Sequence, residues 1–362
     1  VNVKYNFNPG PSALPREVLK IAEKNMFNYN NSGMSVMEMS HRSSLYEEIH
    51  YNALNLIRKL LKIPDDFTIL FMQGGASLQF AMLPLNFRQT GRQAAYVLTG
   101  SWSEKAFQEA SRTGSAYALA SSGESGYRTL PSVDYTHCLP ETDYIHFTSN
   151  NTIFGTQWGE IPQRESIPLF IDASSDIFSR QVNWKNTDLL YAGAQKNAGP
   201  AGVTIVVLRN ELVKDTIEGV PHYLNYNTHM KADSLYNTPP ALSIYVLGLM
   251  LDWISEHGGT EEMEKRAEQK AGVIYNLIDS SNGFYKGYVM PDARSKMNIT
   301  FNLRSKELEE KFLQKANDAG FTGLAGHRSV GGCRASLYNG VPEEHAEQLA
   351  YFMEKFQRQS LH

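Results

Sequence analysis

Asp188-Leu-Leu-Tyr-Ala-Gly-Ala-Gln-Lys-Asn-Ala-Gly-Pro-Ala-Gly-Val-Thr-Ile-Val-Val-Leu208 sets one lysine, Lys196, in a turn of small residues between two short apolar runs. The runs 189–192 and 203–208 are rich in Leu, Val and Ile and read as buried strands. Ala194, Ala198, Gly199, Ala201 and Gly202 carry so little bulk that a flat ring can approach the backbone between them. A lysine held there loses hydration, which lowers its pKa and frees the amine as a nucleophile. The plainer reading is a solvated loop lysine, the usual fate of that residue, so the neighbourhood has to decide.

Upstream, Ile167-Pro-Leu-Phe-Ile-Asp172 is another apolar run, and it ends in a carboxylate. A buried aspartate there suits a heterocycle whose ring nitrogen must stay protonated, as in pyridoxal phosphate. The alternative is a helix cap. The interval from Asp172 to Lys196 fits one strand, a connection and the next strand. Phe67 to Met72 reads as a strand, Gln73-Gly-Gly-Ala-Ser77 as a tight turn and Leu78 onward as a helix, whose unpaired N–H groups make a phosphate cradle. The run 94–100 leads into Ser101-Trp102-Ser103-Glu104, where Ser101 or Ser103 is placed to cap a helix and Trp102 stands at the junction. A core or interface aromatic is the competing reading of Trp102.

The order of elements points to an α/β doubly wound sheet. Apolar runs at 67–72, 94–98, 144–147, 167–171, 189–192 and 203–208 alternate with helical or polar connections. The candidate residues cluster near the ends of those runs, where open sheets bind ligands. After Gly258-Gly259 a charged amphipathic helix begins at Thr260, and then 297–303 and 334–338 alternate like half-exposed antiparallel strands. The boundary therefore falls near 259, with 16–259 as a large domain and 1–15 plus 260–362 as a small one. The segment 7–15 holds three prolines and a glycine, cannot be regular throughout, and is expected to fold back onto the small domain.

Composition narrows the function. With 362 residues there is length for two real cores, and a formal charge of −4 argues against nucleic acid as a partner. The two cysteines, Cys138 and Cys333, lack CxxC spacing, which fits a reducing compartment and gives no cysteine-based zinc site or disulfide framework. The apolar stretch 241–254 is too short to span a bilayer and contains Asp252, so it reads as a buried helix and no membrane association is expected. No charged start with a continuous apolar core is seen at the N-terminus, and the expected location is the cytoplasm. Dinucleotide GxGxxG, Walker and HExxH motifs are absent from the sequence. His222 and His229 read as structural, and Cys333, beside Arg334, as packing rather than a sulfur-transfer nucleophile.

Together the pieces resemble the aspartate-aminotransferase fold type (fold type I) of pyridoxal-phosphate enzymes and, within its class V, the phosphoserine aminotransferase family. The collinear blocks 8–12, 35–42, 73–80, 191–202, 236–240, 326–328 and 334–339 carry the likeness along nearly the whole chain. The resemblance implies a mostly parallel seven-stranded sheet with helices on both faces and a smaller C-terminal α+β domain. It implies that Lys196 carries pyridoxal 5'-phosphate as a Schiff base, that Asp172 holds its ring nitrogen, and that Trp102 stacks on the ring. Ala76, Ser77 and Gln195 would hold the cofactor phosphate, joined by Asn237 and Thr238 from the second subunit of a homodimer with shared sites, and Thr152 would sit near the phenolic oxygen. His41, Arg42, His327, Arg328 and Arg334 would bind the substrate's anionic ends, and no metal is implied. Some members carry arginine at the position of Ser77; here that cation is missing.

The basic positions agree with this independently. Arg334, after Gly331 and Gly332 at a strand start, suits bidentate capture of a carboxylate. The pairs His41-Arg42 and His327-Arg328 suit a more highly charged group, although each alone reads as a solvated surface pair. The implied reaction moves the amino group of L-glutamate to 3-phosphohydroxypyruvate, giving O-phospho-L-serine and 2-oxoglutarate in serine biosynthesis. Use of the phosphorylated four-carbon acid of pyridoxine biosynthesis stays open at this level. The alternatives are an alanine or serine to glyoxylate aminotransferase of the same fold, for which the cations would be surplus, and a non-catalytic sensor of pyridoxal phosphate or a phosphometabolite.

Overall fold

The computed structural model describes residues 4–163, 166–213 and 217–360. From the N-terminus, strand β1 (Tyr5–Asn6) leads to helices α1 (Arg16–Phe27) and α2 (Ser44–Leu61). There follow β2 (Phe67–Met72), α3 (Gly75–Phe87), β3 (Gln93–Leu98), α4 (Ser101–Thr113) and β4 (Ala116–Ser121). Four more strands complete the main sheet's run of chain: β5 (Thr142–Thr148), β6 (Leu169–Asp172), β7 (Leu189–Gly193) and β8 (Thr204–Arg209). Beyond them come α5 (Tyr226–Lys231), α6 (Ala241–Glu256) and α7 (Gly259–Ser280). The C-terminal part holds β9 (Tyr285–Gly287), β10 (Asn298–Leu303), α8 (Lys306–Asp318), β11 (Phe321–Thr322), β12 (Cys333–Ser336) and α9 (Glu343–Ser360).

The seven-stranded sheet has the order β2-β8-β7-β6-β5-β3-β4. β8 runs antiparallel to both β7 and β2, and the remaining neighbours are parallel. The reason lies in loop length: the turn that carries Lys196 is too short for the crossover that a parallel partner needs, so β8 folds straight back on β7. Alternate residues feed opposite faces. Ile69, Phe71, Ile171, Leu190, Ala192, Ile205 and Val207 pack with α2 and α6, whereas Leu70, Met72, Phe170, Tyr191, Val206 and Leu208 join the core under α3 and α4.

The sequence-based outline departs from the structure at four places. β4 forms an edge strand that no apolar run announces, because Ala-Tyr-Ala-Leu-Ala-Ser is only half-buried there. α3 starts at Gly75 rather than Leu78, since Gly74 adopts a left-handed conformation (φ +84°) and turns the chain at once. Gly100, not a serine, is the N-cap of α4, with Ser103 inside its first turn. Finally, β10 and β12 are buried instead of half-exposed. Ile299, Phe301, Cys333 and Ala335 fill the small core, while the polar alternates Asn298, Thr300, Arg334 and Ser336 bond inward to the rest of the protein.

The small core gathers Ile274, Phe301, Phe312, Leu349 and Phe356 around a three-stranded antiparallel sheet, β12-β10-β9. The N-terminal segment does fold onto it: β1 pairs with β11 and Phe7 enters the core. It then continues to the Lys196 turn.

Candidate active site

The backbone fixes Lys196 first. Ala194 N bonds Val203 O, and Ala198 and Gly199 both donate to Ala194 O, which closes the 194–203 connection into a compact turn. Asn197 is fully buried; it donates to Ser175 O (3.2 Å) and its side-chain oxygen accepts from Asn339 N (3.0 Å). From the opposite side, Ser12 N reaches Gln195 O (3.0 Å) and Ser12 Oγ reaches Lys196 O (2.5 Å). Gly10 lies so close that a Cβ there would stand 3.1 Å from Lys196 Cγ. Asn197 and Ser12 escaped the sequence reading because nothing local marks them; their partners lie far away in the chain.

The Lys196 amine donates to Thr152 Oγ1 at 2.8 Å and stands 5.8 Å from the centre of the Trp102 ring. Burial lowers its pKa from the usual lysine value to about 8, despite the attraction of Asp172. At neutral pH an appreciable part of the amine is therefore unprotonated. Asp172 ends β6 between Thr148 and Tyr191, buried, with one oxygen accepting from Ser174 N (2.9 Å). Burial raises its pKa, and the Ser174 bonds and Lys196 pull in the other direction. No helix follows Asp172, so the capping alternative falls away.

Trp102 sits in the first turn of α4, and its Nε1 is buried with no hydrogen-bond partner. Ala76 and Ser77 lie in the first turn of α3, where backbone N–H groups have no acceptor within the helix. Gln195 adjoins them in function only through its place beside Lys196; its side chain folds over Gly193, where a Cβ would meet it at 2.6 Å. The site thus offers a nucleophilic amine, a buried carboxylate, an aromatic ring with an unmet N–H and a helix N-terminus. These are the groups that pyridoxal phosphate requires: an aldehyde partner, a counter-charge for the ring nitrogen, a platform and a phosphate cradle.

Thr152 links this centre to Arg334 on β12. Its hydroxyl holds Lys196 while its carbonyl accepts from Arg334 Nη1 at 2.9 Å. Arg334 is buried on β12, its Nε has no partner, and desolvation lowers its pKa. Leu324 O accepts from Arg334 N, which ties the 324–333 loop to the site, and in that loop His327 Nδ1 meets Ser329 Oγ at 2.6 Å. Burial, followed by the positive charges of Arg334, Arg328 and Lys105, lowers the pKa of His327. Lys105 was not among the residues singled out from the sequence. Arg328 is exposed.

Among the described residues no hydrogen bond links His41, Arg42, Asn237 or Thr238 to Lys196, Asp172 or Arg334. His41 and Arg42 form the turn ahead of α2, where Arg42 N bonds Ser40 Oγ. The Thr238 carbonyl accepts from Gln73 Nε2 (3.3 Å) and from Asn237 Nδ2 (3.1 Å). Cys333 is buried and its thiol is pushed far up, unsuited to nucleophilic chemistry. His229 is also buried, bonded to Tyr223 O. Another lysine, the buried Lys270, lines a cavity of about 700 Å³ with Arg266 and Glu343. Its pKa falls to about 7, but its amine already donates to Tyr338 O and Val341 O, a structural tie between α7 and the chain after β12. Among the described residues no cluster of three or more metal-ligating side chains occurs, and no helix is long and apolar enough to cross a membrane.

The sequence profile of the aminotransferase class-V family matches residues 4–349. A phosphoserine aminotransferase of Halalkalibacterium halodurans is 54% identical over 352 residues, 97% of this chain and 98% of the relative. Among solved structures, the phosphoserine aminotransferase of Bacillus circulans subsp. alkalophilus superposes with a TM-score of 0.97 at 48% identity, covering 99% of this chain and all of that one. The pyridoxal-phosphate-bound enzyme of Trichomonas vaginalis superposes with a TM-score of 0.91 at 34% identity, covering 97% and 99%.

Proposed function

The chain belongs to the class-V aminotransferases, and from that premise we propose that it is a phosphoserine aminotransferase. It transfers the amino group of L-glutamate to 3-phosphohydroxypyruvate, yielding 2-oxoglutarate and O-phospho-L-serine for serine biosynthesis. The observation that carries the reading is the junction at Thr152, which holds the Lys196 amine with its side chain and the carboxylate-binding Arg334 with its main chain. The substrate's α-carboxylate on Arg334 is thereby set beside the base that acts on its α-carbon.

The cofactor is pyridoxal 5'-phosphate, which Lys196 would hold, and when bound it supplies the electron sink that lets an α-proton leave. Asp172 would hold its ring nitrogen, Trp102 its face, Thr152 its phenolic oxygen, and Ala76, Ser77 and Gln195 its phosphate, with Asn237 and Thr238 of the partner subunit. Lys196 Nζ would take up the proton that leaves the substrate α-carbon and give it back in the reverse direction, and its lowered pKa suits both. Burial raises the Asp172 pKa, and a protonated ring nitrogen opposite it would favour the charged carboxylate. Arg334 orients both acids through the carboxylate they share. His327 and Arg328, together with His41 and Arg42 of the partner subunit, hold the phosphate of one and the distal carboxylate of the other. Because both half-reactions use one site, the kinetics are ping-pong.

The same proposal takes 16–259 as the cofactor-binding domain and 1–15 with 260–362 as the small domain, a homodimer as the working unit, and the cytoplasm as its location. Glutamate added alone to the purified yellow protein should bleach its long-wavelength band and release 2-oxoglutarate once per site, and phosphohydroxypyruvate should restore the colour. A protein that glutamate leaves unchanged would refute the reading.

A further inference from the structure

Lys105 lies three residues after Trp102 on α4, hence on the same side of the helix. Its Nζ stands 4.4 Å from the centre of the Trp102 ring, over which the Lys196 amine also stands at 5.8 Å. The Lys196 side chain is half-buried, whereas Lys105 is exposed. The positive charge of Lys105 extends to His327, in the loop tied to Arg334. Among the described residues, Lys105, His327, Arg328 and Arg334 form no ion pair with a carboxylate. The nearest acid in sequence, Glu104, is engaged by the Tyr127 hydroxyl.

The charges of Lys105, Arg328 and Arg334 all act on His327 without a counter-ion, and such a set is relieved by an anion. Cation–π attraction to Trp102 offsets part of the like-charge repulsion for Lys105 and fixes where its charge points. We propose that Lys105 is a specificity-determining residue: held over Trp102, it grips the phosphate end of the substrate together with His327 and Arg328 on the subunit that carries the reacting lysine. This rests on the phosphoserine aminotransferase reading. It also supplies, from the helix after β3, a cation that the absent arginine at position 77 would otherwise bring from α3.

Lys105→Met and Lys105→Arg holoenzymes are compared with the wild type in both half-reactions, and O-phosphoserine is titrated into each through the cofactor absorbance. Lys105→Met is expected to weaken phosphoserine binding and to raise KM for phosphohydroxypyruvate by about 5- to 10-fold relative to KM for glutamate, the effect of one charge-assisted contact near solvent. Lys105→Arg should recover most of it. In Lys105→Met the His327 ring should titrate at a higher pH by proton NMR, since one of the charges that depress it is gone. Equal losses toward phosphoserine and glutamate would overturn the inference, because Lys105 would then only support Trp102. So would unchanged phosphoserine binding. A wild-type enzyme that turns over glutamate but not phosphohydroxypyruvate would instead defeat the reaction assigned above, so the two failures are told apart.

Discussion

Among the described residues, Lys270 is buried and Lys196 half-buried, and their partners decide what each can do. Lys270 spends its amine on two carbonyls, whereas Lys196 has one hydroxyl, an aromatic face and a carboxylate nearby. Borohydride reduction of the yellow protein should therefore fix the cofactor to Lys196, read by peptide mass; label on Lys270 would contradict the assignment. The depressed pKa gives a signed pH dependence. Below about 8 the Lys196 amine becomes charged and unreactive, so capture of the cofactor by the apoprotein should speed up about tenfold per pH unit toward 8 and level off above it. An increase continuing to pH 10 would mean an ordinary lysine. At the anion side, a charged hydrogen bond contributes about 1.5–3 kcal/mol, so Arg328→Ala should weaken phosphohydroxypyruvate binding by ~10-fold or more and glutamate less. Arg334→Ala, which would remove the proposed carboxylate clamp beside Thr152, should impair both. Steady-state kinetics with both substrates test the contrast, and equal losses in Arg328→Ala would show that it is not selective for phosphate.

The elements place these residues through their ends. Lys196, Asp172 and Thr152 follow or close β7, β6 and β5, while Trp102 and Ser77 open α4 and α3. The start of α4 is held by Ser103, whose hydroxyl accepts from Thr99 N (2.9 Å) and Gly100 N (3.1 Å) and donates to Gly100 O (2.7 Å), all buried. Ser103→Ala should leave those donors unmet, cost about 1–3 kcal/mol in urea unfolding and shift the fluorescence of Trp102. A stability equal to wild type would show that Gly100 alone turns the chain. A second element, the N-terminal segment, clamps the reactive turn: Phe7 anchors it in the small core and Ser12 holds the backbone of residues 195 and 196. The prolines and glycine of that segment announced an irregular course and its return to the small domain, but not its hold on the Lys196 turn, because a hydrogen bond spanning 184 positions leaves no periodic trace.

At the scale of the whole molecule, no hydrogen bond among the described residues joins His41, Arg42, Asn237 or Thr238 to Lys196, and the proposal assigns them to the site of a second subunit. Mixed Lys196→Ala and Arg42→Ala subunits should regain activity in verified heterodimers, because each hybrid holds one site with an intact lysine and an intact arginine; no recovery would argue that each site is built from one chain. The sequence by itself determined the α/β sheet, the lysine in its short turn and the aspartate at its strand end. Those features are local, written in apolar runs, small residues and the length of a loop, and the same short loop dictates that β8 runs antiparallel. Only the tertiary structure decided which polar faces look inward. The alternation along β10 and β12 was legible, yet its polar side meets Thr152, Asn150 and Phe154 rather than water, since the large body covers it. Likewise the position of Lys105 over Trp102 and the tie of Asn197 to Asn339 come from the packing of distant segments. Burial and distance are properties of the assembled chain, so neither the lowered pKa of Lys196 nor the uncompensated cations beside it can be read before the chain is folded.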